Sequence, residues 1–220
     1  MIVDMHVHTR ASLDSPASVE EYCRTAHRFR KYHPFDGIVF TEHRFFDEEN
    51  DYRAIADKYE LFVFKGIEMD TDLGHLLVYG VTKRFLKKID VSQLRIKAGD
   101  VIRAISDYGG IAVPSHPFRE SAFGETLESG AGILDGISVI ETLNGSSTGD
   151  ENHRAARLSI RNGFSGIGGS DAHYVNAHWF LNAATEFENP VHTDEDLVRE
   201  LKGGKFSPIV LDNSMLKKFK

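Results

Sequence analysis

A chain of 220 residues, 41% hydrophobic and 27% charged, can bury a sizeable core within one α/β domain, which excludes a disordered or fibrous protein. A formal net charge of -7 with no sustained basic run argues against binding an extended duplex nucleic acid, whereas a short oligonucleotide held through metal ions stays within reach. One cysteine, Cys23, rules out an internal disulfide, and no signal peptide or bilayer-length apolar run is read, so the expectation is a cytoplasmic protein without a membrane partner.

In chain order, MIVDMHVH (1–8) predicts a strand with Ile2, Asp4, His6 and His8 on one face and Val3, Met5 and Val7 on the other. SPASVEEYCRTAHRFRKY (15–32) predicts a helix with Ser15 as N-cap, Pro16 in the first turn, Glu20 and Glu21 early, and Cys23 as a small apolar residue. DGIVFTEH predicts a strand and DEENDYRAIADKY a helix. LFVFKGIEMD and HLLVYGV read as neighbouring strands turning at Thr71 to Gly74, followed by a helix from about Lys97 to Tyr108 and a strand and loop in GGIAVPSHP. DGISVIETLN, ENHRAARLSIRNG and FSGIGGSDAH give strand, helix and strand, and the tail from about 190 adds the helix TDEDLVRELKGG and the strand KFSPIVL.

This alternation predicts a largely parallel sheet with helices outside it, and no glycine-rich phosphate loop follows the first strand. His6, His8, His43, Glu68, His116, Glu141, Asp171 and His173 all fall near strand ends, which a closed TIM-like barrel gathers at one mouth. With His75, six of the eleven histidines belong to this set, and Asp14, Glu68 and Asp171 supply carboxylates. Imidazole and carboxylate suit Zn, Mn or Fe, and His-x-His on a strand sets two rings about 6.6 Å apart on one face. The expectation is a multinuclear metal site at the C-terminal ends of the strands.

The segments DMHVHT, TEHR, PSHP and GSDAH, with HTRASLD, GIEMD, GHLLVYG and ETLNG between them, resemble the ordered motifs of the PHP (polymerase and histidinol phosphatase) domain over nearly the whole chain. The resemblance implies a distorted (β/α)7 barrel, a single domain over 1–220, and two or three divalent ions acting on phosphate esters. It implies a first ion on His6, His8, Glu68 and Asp171, a second on Glu68, His75 and His116, and a third on Asp14, His43 and His173. Asp14 stands where some members carry histidine, making the third site richer in oxygen.

The function expected is metal-dependent hydrolysis of a phosphate ester by a metal-activated hydroxide, on a small metabolite, nucleotide or short oligonucleotide. Glu68, Asp171 and His173 are the catalytic candidates, with Arg119 binding phosphate and Arg44 a second arginine for that role. Asp4 is read either as a carboxylate behind the ligands or as a buried, capped one, and Glu42 either orients His43 or is a surface carboxylate. Asn144 either orients substrate or shapes a turn, and Phe123, Trp179 and Phe180 either wall a pocket or pack the core. His178 is a general-acid candidate; His153 is a packed or solvated helical residue. Alternatives are a histidinol-phosphatase, a non-catalytic metal-binding module, and an amidohydrolase-like barrel using Lys65.

Overall fold

The computed structural model describes residues 1–130, 135–203 and 205–214; Gly204 and the stretch 215–220, part of the predicted domain and tail, lie outside the described residues. The chain opens with β1 (Ile2–Val7), a 3-10 turn at Arg10–Ser12, α1 (Val19–Phe29), β2 (Gly37–His43) and α2 (Arg53–Tyr59). β3 (Phe62–Thr71) and β4 (Gly74–Tyr79) follow, then α3 (Lys83–Lys88), α4 (Ala98–Asp107), β5 (Ile111–Pro114) and α5 (Phe123–Glu128). β6 (Val139–Asn144), α6 (Gly149–Asn162), β7 (Ser165–Gly169), β8 (Ala183–Phe187), α7 (Asp194–Gly203) and β9 (Phe206–Val210) complete it.

The α/β class is as expected, but the complete (β/α)7 barrel is corrected to a curled half-barrel. Seven strands pair in the order β5-β4-β3-β2-β1-β8-β9, and β6 and β7 form a separate two-stranded sheet. The two sheets approach where Val7, at the end of β1, makes an isolated parallel bridge to Ala172, just beyond β7. A regular barrel is interrupted where connections are too short for a crossover helix. Thr71 pairs with Gly74 across a two-residue loop, which obliges β4 to run antiparallel to β3. β8 likewise pairs antiparallel with β1 and with β9.

Inside the curl lies an apolar layer to which successive strands contribute: Val3 and Met5, Val39, Phe64, Leu77, Val113, Val139 and Ile167. Two residues further toward the mouth the same faces carry Thr41, Gly66, His75, Ser115, Glu141 and Gly169, because side chains alternate with a period of two. α1 covers the outer face with Tyr22, Cys23, Ala26 and Phe29, and α4 covers another with Val101, Ile102 and Ile105. Burial raises the Cys23 thiol to about 12, consistent with a packing role. The first helix is capped by Ser18, not Ser15: Ser18 and Glu21 form a reciprocal capping box that leaves residues 15–17 outside the helix.

The predicted alternation of β1 also breaks. Val3 and Met5 pack in the inner layer, but Val7 packs in the outer one, and the β1–β2 register shifts between Asp4 and Val7. Such a bulge re-aims a side chain, and here it brings His6 within 3.1 Å of Glu68. Gly169 makes this possible, since a Cβ there would stand 2.5 Å from the Cβ of His6.

Candidate metal centre

All nine residues expected as ligands converge at the mouth of the curl. His6 Nε2, His8 Nε2, Glu68 Oε2 and Asp171 Oδ1 form a buried set: the two nitrogens are 3.0 Å apart, each is 3.1 Å from Glu68, and Asp171 lies 3.5 and 3.4 Å from them. Glu68 turns its other oxygen, Oε1, to His75 Nδ1 at 3.1 Å and His116 Nε2 at 3.2 Å. Asp14 Oδ2 lies 3.4 Å from His43 Nε2 and 3.3 Å from His173 Nε2. His43 Nδ1 faces Glu68 Oε2 at 3.4 Å, so His43 links the third set to the first. His8 also falls close enough to His43 and His173 to complete a set with them.

The outward nitrogens reveal how the rings are held. Glu141 is a pure acceptor when ionised, so His6 Nδ1–H donates to Glu141 Oε1 at 3.0 Å, which leaves Nε2 facing the centre. His8 Nδ1 meets Ser12 Oγ at 3.2 Å, and that hydroxyl donates to Glu42 Oε2 at 2.7 Å. His75 Nε2 donates to Asp70 Oδ1 at 2.9 Å, presenting Nδ1 inward. His173 Nδ1 donates to the carbonyl of Asp171 at 3.2 Å. In each case an acceptor lies on the outside of the cluster, so the neutral ring keeps its proton there and leaves the inner nitrogen for an ion.

The fit to divalent ions follows from these contacts. A tetrahedral ion with bonds of ~2.0–2.1 Å sets its donors roughly 3.3 Å apart, which matches the separations above. Without positive charge between them, the facing donors would repel, and the charge balance shows the demand. Burial lowers the imidazole pKa of His6, yet Glu68, Asp171 and Glu141 hold it well above its ordinary value; His8 is likewise raised to about 9 and His75 to about 10. Burial acts against ionised Glu68 and Asp171, but the surrounding imidazoles keep both carboxyls well below the usual range. His43 goes the other way, lowered to about 4 by burial. Facing donors with these shifts make a candidate cation site, and an ion held there would displace the protons on His8 and His75.

Two backbone segments are strained to deliver their ligands. Asp171 has φ 55° and His116 φ 28°, conformations that cost of order 1–3 kcal/mol in a residue with a Cβ. Hydrogen bonds hold both: Asp171 N–H donates to His6 O at 2.7 Å, and His116 N–H to Glu141 Oε2 at 2.7 Å.

Arg119 is anchored at the edge of the centre. Its guanidinium donates to Asp171 Oδ2 at 2.5 Å, to Asn144 Oδ1 at 3.2 Å and to Ser146 Oγ. It lines a cavity of about 520 Å³, together with Asp70, His75, His116 and Arg95. Arg44 pairs with Asp70 at 3.3 Å. Asn144 is a buried hub, its amide donating to Glu141 at 2.9 Å and Asp171 at 3.3 Å.

The other residues singled out in the sequence lie as follows. Glu42 accepts from Thr9 and Ser12 rather than from the His43 ring, so it acts on His8 through Ser12; it touches His43 only through that hydroxyl, which accepts the His43 N–H at 2.9 Å. Asp4 caps backbone, accepting from Ser170 N–H at 2.8 Å and His6 N–H at 3.2 Å, and burial raises its pKa to about 7. Phe123 and Phe180 are fully buried core residues and wall no pocket. Lys65 bonds to the carbonyls of Asp47 and Asn50, away from the cluster. His153 is exposed on α6. Asp70, which the sequence did not single out, groups with His43 and His75; its position two residues after Glu68 on β3 was the available signal.

Similarities to known proteins bear on the family and the fold. A family model described as PHP-associated matches residues 149–206, and the resemblance read from the motifs is upheld there. No curated protein matches the chain. Among solved structures, PsfC from Pseudomonas syringae PB-5123 superposes with a TM-score of 0.69 at 16% identity, covering 99% of this chain and 95% of that one. A protein from Bifidobacterium adolescentis, assigned as a metal-dependent phosphoesterase, superposes with a TM-score of 0.59 at 16% identity over 92% of this chain and 96% of that one. Endonuclease Q, in complex with a 27-mer duplex carrying an abasic lesion at its active site, superposes with a TM-score of 0.63 at 14% identity; the match covers 94% of this chain but 58% of that one.

The last similarity corrects the expectation that extended duplex nucleic acid is excluded, since a protein sharing this fold holds duplex DNA. Net charge alone does not exclude it, because it sums over the chain. Lys83, Arg84, Lys87 and Lys88 are all exposed on α3, and among the described residues none has a carboxylate within ion-pair distance. None of the described helices is long and apolar enough to cross a membrane.

Proposed function

We propose that the chain is a metal-dependent phosphoesterase, a hydrolase working as one domain over 1–220. The observation that carries this reading is Glu68: one oxygen faces His6 and His8, the other His75 and His116, as a carboxylate shared by two ions must. His6, His8, Glu68 and Asp171 would hold one ion, Glu68, His75 and His116 a second, and Asp14, His43 and His173 a third. The oxygen of Asp14 favours Mn or Fe over Zn in the third set. When bound, such ions neutralise phosphoryl oxygens and lower the pKa of a bound water toward ~7.

The chain's own groups do the rest. Glu141 and the Glu42–Ser12 pair fix the tautomers of His6 and His8. Arg119, held by Asp171 and Asn144, keeps N–H groups in hand for a phosphoryl oxygen in the adjoining cavity. The substrate is a phosphate ester of a small metabolite, or a phosphodiester of nucleic acid such as the fold neighbour endonuclease Q binds. A panel of phosphate mono- and diesters, including abasic duplex DNA, assayed with added Mn tests the reading. Turnover by the wild type that Glu68→Gln abolishes, with the variant still folded, supports it; turnover by Glu68→Gln equal to wild type overturns it.

A further inference from the structure

We infer that Leu13, Phe45 and Tyr174 form a stacking rim for the bases of a nucleic-acid strand whose phosphate is brought to the metal centre. This deepens the phosphoesterase reading and rests on it for the placement of the phosphate.

Of the eight large apolar side chains exposed among the described residues, three belong to segments that carry expected metal ligands. Leu13 is 92% exposed, Phe45 44% and Tyr174 48%. Leu13 immediately precedes Asp14, Phe45 follows His43 by two residues, and Tyr174 follows His173 directly. Asp14 Oδ2 lies 3.4 Å from His43 Nε2 and 3.3 Å from His173 Nε2, so the three apolar residues stand on segments that meet at one spot. They stand on consecutive segments of the mouth: β1 pairs with β2, and the end of β1 bridges to Ala172 beyond β7.

Leu13 is the most exposed of the three. Its φ is 69°, a left-handed conformation that disfavours side chains with a Cβ, and its side chain is left almost wholly in water. The left-handed φ closes the 3-10 turn, where Leu13 N–H donates to Arg10 O at 3.3 Å, but the exposed side chain contributes nothing to the core. A surface that binds an apolar group makes use of that exposure.

The occupant is a base rather than an acyl chain. An acyl chain needs a continuous apolar trough, and the cavity beside the centre is lined instead by charged groups including Asp70, Asp72, Arg95 and Arg119. The rim offers separate apolar faces, two of them aromatic, with Arg10 and Arg44 on the same two loops as Leu13 and Phe45. Flat rings with polar edges are held in this way, through stacking combined with nearby guanidinium groups. A strand is favoured over a single nucleotide because three consecutive segments carry the faces.

The test uses the full chain loaded with zinc and a single strand with phosphorothioate linkages and 2-aminopurine beside the central linkage. The expected result is quenching of 2-aminopurine on binding. Phe45→Ala and Tyr174→Ala should each reduce the quenching and weaken binding roughly fivefold or more. Phe45→Tyr and Tyr174→Phe should retain both, and Ile160→Ala, exposed on α6, should match wild type. Leu13→Ala should lose affinity with less effect on quenching. Alanine variants equal to wild type in both readouts overturn the inference, and so does a 2-aminopurine mononucleotide that binds as tightly as the strand. Quenching that persists while no phosphate ester is hydrolysed would sink the phosphoesterase reading and leave the rim standing; hydrolysis with unaltered quenching in the variants would do the reverse.

Discussion

Glu141→Gln should weaken metal binding without dismantling the sheet. Glu141 Oε1 accepts from His6 Nδ1–H at 3.0 Å, while Oε2 accepts from His116 N–H at 2.7 Å and Asn144 Nδ2 at 2.9 Å. A glutamine has one acceptor oxygen for two sets of donors. With its oxygen toward His6, its amino group confronts the His116 and Asn144 donors; with the oxygen reversed, it confronts His6 and drives the proton to Nε2, the atom that faces the centre. Each orientation forfeits a hydrogen bond to a charged group, worth about 1.5–3 kcal/mol. Loss of such a partner behind a ligand lowers metal affinity by about 10–100-fold, or roughly 1.4–2.7 kcal/mol. Chelator competition measures this, with thermal unfolding of the metal-free forms as the control for folding. Affinity within twofold of wild type, in a folded variant, would refute the argument that Glu141 sets the His6 tautomer.

Arg119→Ala should raise KM for phosphorylated substrates and lower metal affinity modestly, because Asp171 Oδ2 loses its partner at 2.5 Å; steady-state kinetics with an unchanged KM would remove Arg119 from substrate binding. Metal uptake at neutral pH should release protons. His8 and His75, raised to about 9 and about 10, carry protons below those values, so an ion must displace them and apparent affinity should rise as pH increases toward 9. Calorimetry in buffers of different ionisation enthalpy measures the count, and zero proton release contradicts the balance described. Cys23 should resist thiol reagents until the protein unfolds, since burial holds its thiol at about 12; rapid labelling of native protein would show that α1 does not pack as described.

Much of the site was legible because ligand chemistry is local. His-x-His on a strand, Asp171-x-His173 after a small-residue run, and isolated histidines at strand ends all lie where the curl gathers them. What escaped depends on the partner strands. The bulge in β1 depends on its pairing with β2, so the alternation of Val3, Met5 and Val7 could not reveal that Val7 turns outward. Asp70 drew no attention because it matters through His75, its register partner across the two-residue hairpin. α3, α5 and β8 are six, six and five residues long, too short for periodicity to separate from loop. The basic cluster on α3 was hidden within a negative total.

Crystals of metal-soaked protein, measured at the absorption edge of manganese, address the central assignment most directly. Anomalous peaks are expected between His6, His8, Glu68 and Asp171 and between Glu68, His75 and His116, with a third beside Asp14, His43 and His173. A map from saturated crystals with no peak touching Glu68 would contradict the account.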